Sequence, residues 1–230
     1  MKYLIVNGDD FGASHGINRG IIEAHRQGIL TSASLIVTTP WSEEAALLSC
    51  AAPDLSVGLH IHLVNEGKNR VAAPSADNCR TELYHQFFRF QELVGHLPTH
   101  LDSHHNVHRD PRLLPHFLEL ARPYDLPLRE HSSVRYFSKF YGQWGGETHL
   151  EQIGVESLVR MLETEIQEGI TELGCHPGYV DLDFSSGYSD EREIELRTLC
   201  DSRTYQALTQ RSIQLVNFRD LGNLLPCLPI

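Results

Sequence analysis

The eleven residues "HLDSHHNVHRD" (100–110) hold four histidines and two aspartates. Imidazole and carboxylate are the side chains that bind divalent cations and move protons near neutral pH. The same types recur at three other places. "NGDDFG" carries Asp9 and Asp10, "GLHIHL" carries His60 and His62, and "GCHPGY" carries His176. A solvated loop explains the aspartates well. It explains the histidines poorly, because Gly, Ser and Asn are the ordinary loop residues. Several of these side chains converging on one cation is the chemistry the pattern suggests.

Convergence needs elements that bring distant positions together. Apolar runs of strand length alternate here with helix-period segments. Strands are expected at 3–7, 32–38, 55–63, 98–104, 126–130, 170–175 and 212–217. Helices are expected after the first strand (Ile17, Ile21 and Ala24 on one face, Gly28 as the stop), at 42–51, 77–95, near 111–122 and over 152–168 with Gly169 as its stop. This alternation predicts an α/β fold with about seven parallel strands in a single domain spanning 1–230. Periodicity alone does not choose between a barrel and an open sheet. In either, catalytic groups gather at the carboxyl ends of strands. Asp9, Asp10, His60, His62, Asp102, His104 and His176 all fall at such ends.

Period-two geometry puts His100, Asp102 and His104 on one strand face, and His60 with His62 on one face of another. A polar stripe on a strand buried on both sides needs hydrogen bonds or a metal. One carboxylate from the first strand with His60 and His104 makes a facial ligand set with positions left open. His104 and His108, four apart, would pair on a helix instead. Asp110 and Pro111 place the helix start after His108, which favours the first set. Two imidazoles suit Zn2+ or another transition ion, and a carboxylate with several waters also suits Mg2+ or Mn2+.

Taken in order, "NGDDFG", "GLHIHL", "THLDSHHNVH" and "CHPGY", with "GIIEAHRQGILTSASL" between the first two, resemble the YdjC-like carbohydrate deacetylases, the chitooligosaccharide deacetylase family. The likeness runs from residue 3 to about 180. It implies a seven-stranded (β/α) barrel-like fold and metal-dependent removal of an N-acetyl group from an amino sugar, with acetate released. It implies that Asp10, His60 and His104 bind one divalent metal, usually described as Mg2+. It implies that Asp9 is the general base and His176 the catalytic histidine near the leaving group. Family members often have histidine where this chain has Asn106, asparagine at His62 and threonine at Val64.

A tandem Asp pair suits two roles, since neighbouring side chains tend to point apart. Gly8 and Gly12 suit a tight loop close to a ligand. The stretch "YFSKFYGQWGG" (136–146) packs five aromatics into eleven residues. Aromatic faces are platforms for sugars, although a core patch or a subunit interface would look the same. Asp102, His108 and Trp144 are the expected substrate contacts. The expected partners are a small N-acetylated sugar and, in assembly, a second copy in a homodimer.

Composition narrows the rest. A net charge of −11 without a basic run disfavours nucleic acid and anionic lipid. No segment reads as a membrane span or a signal peptide. Five scattered cysteines, among them Cys227, read as reduced thiols in a cytoplasmic protein. The rival enzyme class is a metal-dependent phosphoesterase, for which Arg109 and Lys68 are the available phosphate ligands. The rival without catalysis is a sugar- or metal-binding homologue, which should have lost Asp9 or His176.

Overall fold

A computed structural model describes residues 1–63, 76–181 and 187–224. Val64, Lys68 and Cys227 lie outside the described residues. The elements in chain order begin with β1 (Lys2–Phe11), α1 (His15–Gln27), β2 (Ser32–Leu35), α2 (Ser42–Cys50), β3 (Ser56–Ile61), α3 (Ala76–Val94), β4 (Leu101–Ser103) and α4 (Leu114–Ala121). They continue with β5 (Arg135–Phe137), β6 (Gln143–Trp144), β7 (Glu147–Thr148), α5 (Val155–Thr164), β8 (Gly169–Cys175), α6 (Asp190–Cys200), α7 (Ser202–Gln210), β9 (Ile213–Leu215) and α8 (Leu221–Leu224). Seven strands form one parallel sheet in the order β4-β3-β2-β1-β8-β5, with β9 on β1. The sheet is curled into a half-barrel wrapped by helices.

The organising strand is β1. One edge pairs with β8 from Lys2 to Gly8. The other edge is shared: Lys2–Leu4 pairs with β9, and Asn7–Phe11 with β2. Alternation along β1 sends Leu4 and Val6 to the main core beneath the helices, while Ile5 joins Val134, Ile170, Val216, Phe218 and Leu221 in a second cluster. Asn7 and Asp9 follow Ile5 on the concave face. The same rule sends Val57, Leu59, Ile61 and Leu101 to the main core. It leaves Gly58, His60, His100 and Asp102 on the concave side. Gly58 is required there, since a Cβ would sit 2.4 Å from the His100 ring. The half-barrel is thus plugged with hydrocarbon at one end and lined with polar groups at the carboxyl end.

Several expectations need correction. The segment 126–130 is not a ladder strand; it touches β4 through a single bridge, Leu101 to Leu128. The seventh sheet strand is β5 instead, which overlaps the start of the aromatic stretch. The expected helix over 152–168 is a 3-10 turn (Leu150–Ile153) followed by α5, and Gly169 begins β8 rather than capping the helix. Helices α6 and α7 were not expected. β1 continues through Asp9 and Asp10 to Phe11, so Gly8 lies within a strand, packed so that a Cβ would meet Leu30 at 2.8 Å. Gly12 is the true turn glycine, with φ +90° and its missing Cβ 2.6 Å from the Ile36 carbonyl.

Candidate metal centre and active-site cavity

The carboxyl ends of β1, β3, β4 and β8 open into a cavity of about 660 Å³. Its walls include Asp9, Asp10, His60, His104, Tyr141, His176, Tyr188 and Arg192. Strict alternation would turn Asp10 away from Asp9. The register of β1 against β2 breaks between Gly8 and Phe11, and Asp10 adopts φ +68°. This bulge re-aims one side chain. Both carboxylates therefore face the cavity, contrary to the simple expectation that they point apart.

Asp10, His60 and His104 offer one ligand atom each, all within 4.8 Å of one another. Asp10 Oδ1 lies 2.9 Å from His104 Nδ1 and 3.4 Å from His60 Nε2. His60 Nδ1 is 2.7 Å from Asp102 Oδ1. That contact fixes the tautomer and frees Nε2 for a cation, the usual support for a ligating imidazole. Burial alone would push the His60 pKa down, but Asp102 and Asp10 outweigh it and push it up to about 10. The position favours positive charge. Asp9, His60 and Asp102 form a second group with metal-ligand spacing. There Arg129 already bonds Asp9 at 2.8 Å and Asp102 at 2.7 Å, so the guanidinium fills the place of a cation. One carboxylate with two imidazoles, of which His60 is supported by Asp102, fits a divalent ion, and the first group is the one free to take it.

Arg129 is 3% exposed and also pairs with Glu172 at 2.6 Å. Three carboxylates thus surround one guanidinium. Both oxygens of Asp9 accept from Arg129, and Oδ1 also accepts from Asn7 Nδ2 at 2.9 Å. Burial would raise the Asp9 pKa, yet Arg129 holds it below the usual carboxylate range. A carboxylate has about four acceptor sites. The one left open on Oδ2 lies toward His176, whose Nε2 is 3.9 Å away. Behind His176, Glu195 accepts from the His176 backbone N–H and from the Tyr188 hydroxyl. His176 Nδ1 is buried 3.9 Å from Glu195 Oε1, beyond hydrogen-bond reach. Burial opposes charge on this ring too, but Glu195 chiefly, with Asp9 and Asp10, raises its pKa.

The model of the YdjC-like protein family matches residues 3–210. This chain belongs to the YdjC-like family. A carbohydrate deacetylase of Geobacillus stearothermophilus is 35% identical, covering 97% of this chain and 99% of the relative. A chitooligosaccharide deacetylase of Serratia marcescens is 34% identical over 96% and 99%. A crystal structure from Enterococcus faecalis, provisionally described as a cellobiose-phosphate cleavage protein, superposes with a TM-score of 0.80 at 29% identity, covering 96% of this chain and 98% of that one. A family 4 acetyl xylan esterase of Clostridium thermocellum, solved with a cobalt ion, superposes with a TM-score of 0.60 at 15% identity, covering 97% and 91%, and shows a shared fold.

In this YdjC-like chain five of the expected site residues, Asp9, Asp10, His60, His104 and His176, meet at one cavity. The three expected substrate contacts do not reach its wall. Asp102 is fully buried beneath His60 and accepts from Ser34 Oγ at 2.6 Å. His108 is also fully buried, with Nδ1 2.6 Å from Ser103 Oγ. It stands in a 3-10 turn (His104–Arg109) in which His105 and Asn106 take φ +55° and +51°, so no α-helical pair with His104 exists. Trp144 is 49% exposed and stacks on His149 at 3.7 Å. Its strand neighbour Gln143 turns to the cavity, and alternation turns Trp144 away. The aromatic stretch reaches the cavity instead through Tyr136, Phe140 and Tyr141, and the Tyr141 ring stacks on Tyr188 at 4.8 Å. Arg129, Arg192 and Glu195 were not singled out from the sequence. Basic and acidic residues in unassigned segments gave no reason to choose them.

Proposed function

We propose that this protein is a divalent-cation-dependent hydrolase that removes the N-acetyl group from a small N-acetylated amino sugar or short oligosaccharide, releasing acetate. The observation that carries the reading is the pairing of Asp9 and His176 across the cavity, 3.9 Å apart and beside the Asp10–His60–His104 group. The deacetylase names of relatives at 34–35% identity support the reaction and the substrate class. Asp10 Oδ1, His60 Nε2 and a His104 ring nitrogen would hold the ion. Mg2+ is the first candidate, with Zn2+ and Mn2+ as alternatives. When bound, the ion would polarise the amide carbonyl and acidify a water molecule.

The chain's own residues supply the proton transfers. Asp9 stays ionised because Arg129 faces it, and its open Oδ2 site takes the proton of the attacking water. Glu195 raises the His176 pKa, which favours the protonated ring as the donor to the departing amine. An amine leaves poorly without that proton. Tyr141 offers a ring face to the sugar at the cavity wall.

The phosphoesterase reading is disfavoured. Among the described residues, each arginine lining or flooring the cavity is matched by carboxylates: Arg129 by three, Arg192 by Asp10, Arg109 by Glu130. The test is acetate release from N-acetylglucosamine and its short oligomers, before and after chelation. Acetate and free amine should appear in equal amounts, stop on chelation and return with added Mg2+, Mn2+ or Zn2+. Release that chelation leaves untouched, or no release from any of these sugars, overturns the proposal.

A further inference from the structure

Arg192 reaches the site from α6. It is 5% exposed, and its Nη2 donates to Asp10 Oδ2 at 2.6 Å. The opposite oxygen, Oδ1, is the one that faces His60 and His104. The guanidinium is fixed by two further acceptors, since Nε donates to the Tyr188 carbonyl at 3.0 Å and Nη1 to the His176 carbonyl at 3.4 Å. The backbone is fixed as well: Arg192 N–H donates to Ser189 O, and its carbonyl accepts from Gly178 N–H. Close packing at Gly178 leaves little room, since a Cβ there would lie 3.3 Å from Arg192 Cδ. Swinging the fork aside for a cation would break these contacts.

We propose that Arg192 is a positioning residue that divides the two oxygens of Asp10, keeping Oδ2 for itself and Oδ1 for the cation, and that its charge holds the affinity for that cation down. This rests on the metal site proposed above. A carboxylate with one oxygen committed elsewhere binds a cation through the other alone. That leaves a coordination position for water or substrate which a two-oxygen grip would fill. A neutral donor would orient Asp10 equally well, so the positive charge is a separate contribution. It opposes the cation across a few ångströms of buried space. The contact with the His176 carbonyl also ties the metal carboxylate to the strand end that carries the proton donor.

The test compares Arg192→Gln and Arg192→Lys in the full chain, by calorimetric titration of Mn2+ into metal-stripped protein and by deacetylation rate. The Gln variant keeps a hydrogen-bond donor and loses the charge. It should bind Mn2+ at least about tenfold more tightly than the native protein, while kcat falls. The Lys variant keeps the charge but not the fork. Its Mn2+ affinity should stay within about threefold of native, and its kcat should fall as well. A residue needed only for folding would weaken binding or leave it unchanged, so equal or weaker Mn2+ binding by Arg192→Gln overturns the inference. If the Gln variant does not fold, native kcat in Arg192→Lys overturns it. Absence of Mn2+ binding by the native protein instead overturns the metal site itself.

Discussion

Replacing Asp9 with Asn separates proton transfer from cation binding. The amide oxygen can take the Oδ1 position, where it still accepts from Asn7 Nδ2 and Arg129 Nη2. The amide nitrogen then occupies the Oδ2 position, 2.8 Å from Arg129 Nη1, with donor facing donor. One hydrogen bond to a charged group is lost, about 1.5–3 kcal/mol. At roughly 2–4 °C per kcal/mol for a domain of this size, Tm should fall by about 3–12 °C. Oδ2 is also the oxygen with an acceptor site open toward His176, so the loss of base falls on the same atom. Deacetylation should drop on the order of 10²–10⁴-fold. Cation affinity should change little, because Asp9 is outside the ligand set. The assay pairs acetate release with Mn2+ titration and a thermal melt. Retained activity would refute Asp9 as the base, and lost Mn2+ binding would mean that the roles of Asp9 and Asp10 are reversed.

Asp10→Asn should show the converse, a weakened cation affinity with activity partly restored by excess metal; a metal titration of the rate checks it. Tyr141→Ala should raise KM severalfold, the scale of one aromatic contact, while Trp144→Ala leaves KM unchanged; steady-state kinetics on one oligosaccharide compares them. Burial pushes the Glu172 pKa from 4.5 up to about 7, with Arg129 opposing and Asp102 and Asp9 adding to the rise. The folded pKa lies above the unfolded one, so this stability is complete below about pH 4.5 and is lost as pH rises through about 7. Glu172→Gln should flatten that loss, which is up to about 3 kcal/mol, in urea unfolding compared at pH 5 and pH 7.5.

The part of the site carried on long or regular strands was legible. β3, and β1 as far as Asp9, alternate cleanly, so the faces of His60 and Asp9 follow from period two. The bulge at Asp10 was not legible, because nothing in "GDDF" marks which of two aspartates takes a positive φ. Arg129 was hidden for another reason. It lies on a segment that reads as a strand but makes one bridge, held to β4 by Leu101 N–H to Pro127 O and Arg129 N–H to Leu101 O. Helix α6 escaped because its inward residues are polar: Glu191, Arg192, Glu195 and Thr198 are buried alongside Leu196 and Leu199. A helix that buries charged residues has no amphipathic stripe to find. Its acidic first turn, Asp190, Glu191 and Glu193, with Arg197 in the last, was the signal available. For the aromatic stretch, density in the sequence could not tell which rings face the cavity: Tyr136, Phe140 and Tyr141 line it, and Trp144 does not.

Among the measurements above, none locates the cation itself. Anomalous diffraction from crystals soaked in Mn2+ would do so. One peak is expected, about 2.0–2.4 Å from Asp10 Oδ1, His60 Nε2 and a ring nitrogen of His104, with Arg192 still on Oδ2. A peak among Asp9, His60 and Asp102 with Arg129 displaced, or no peak in the cavity at all, would contradict the assignment.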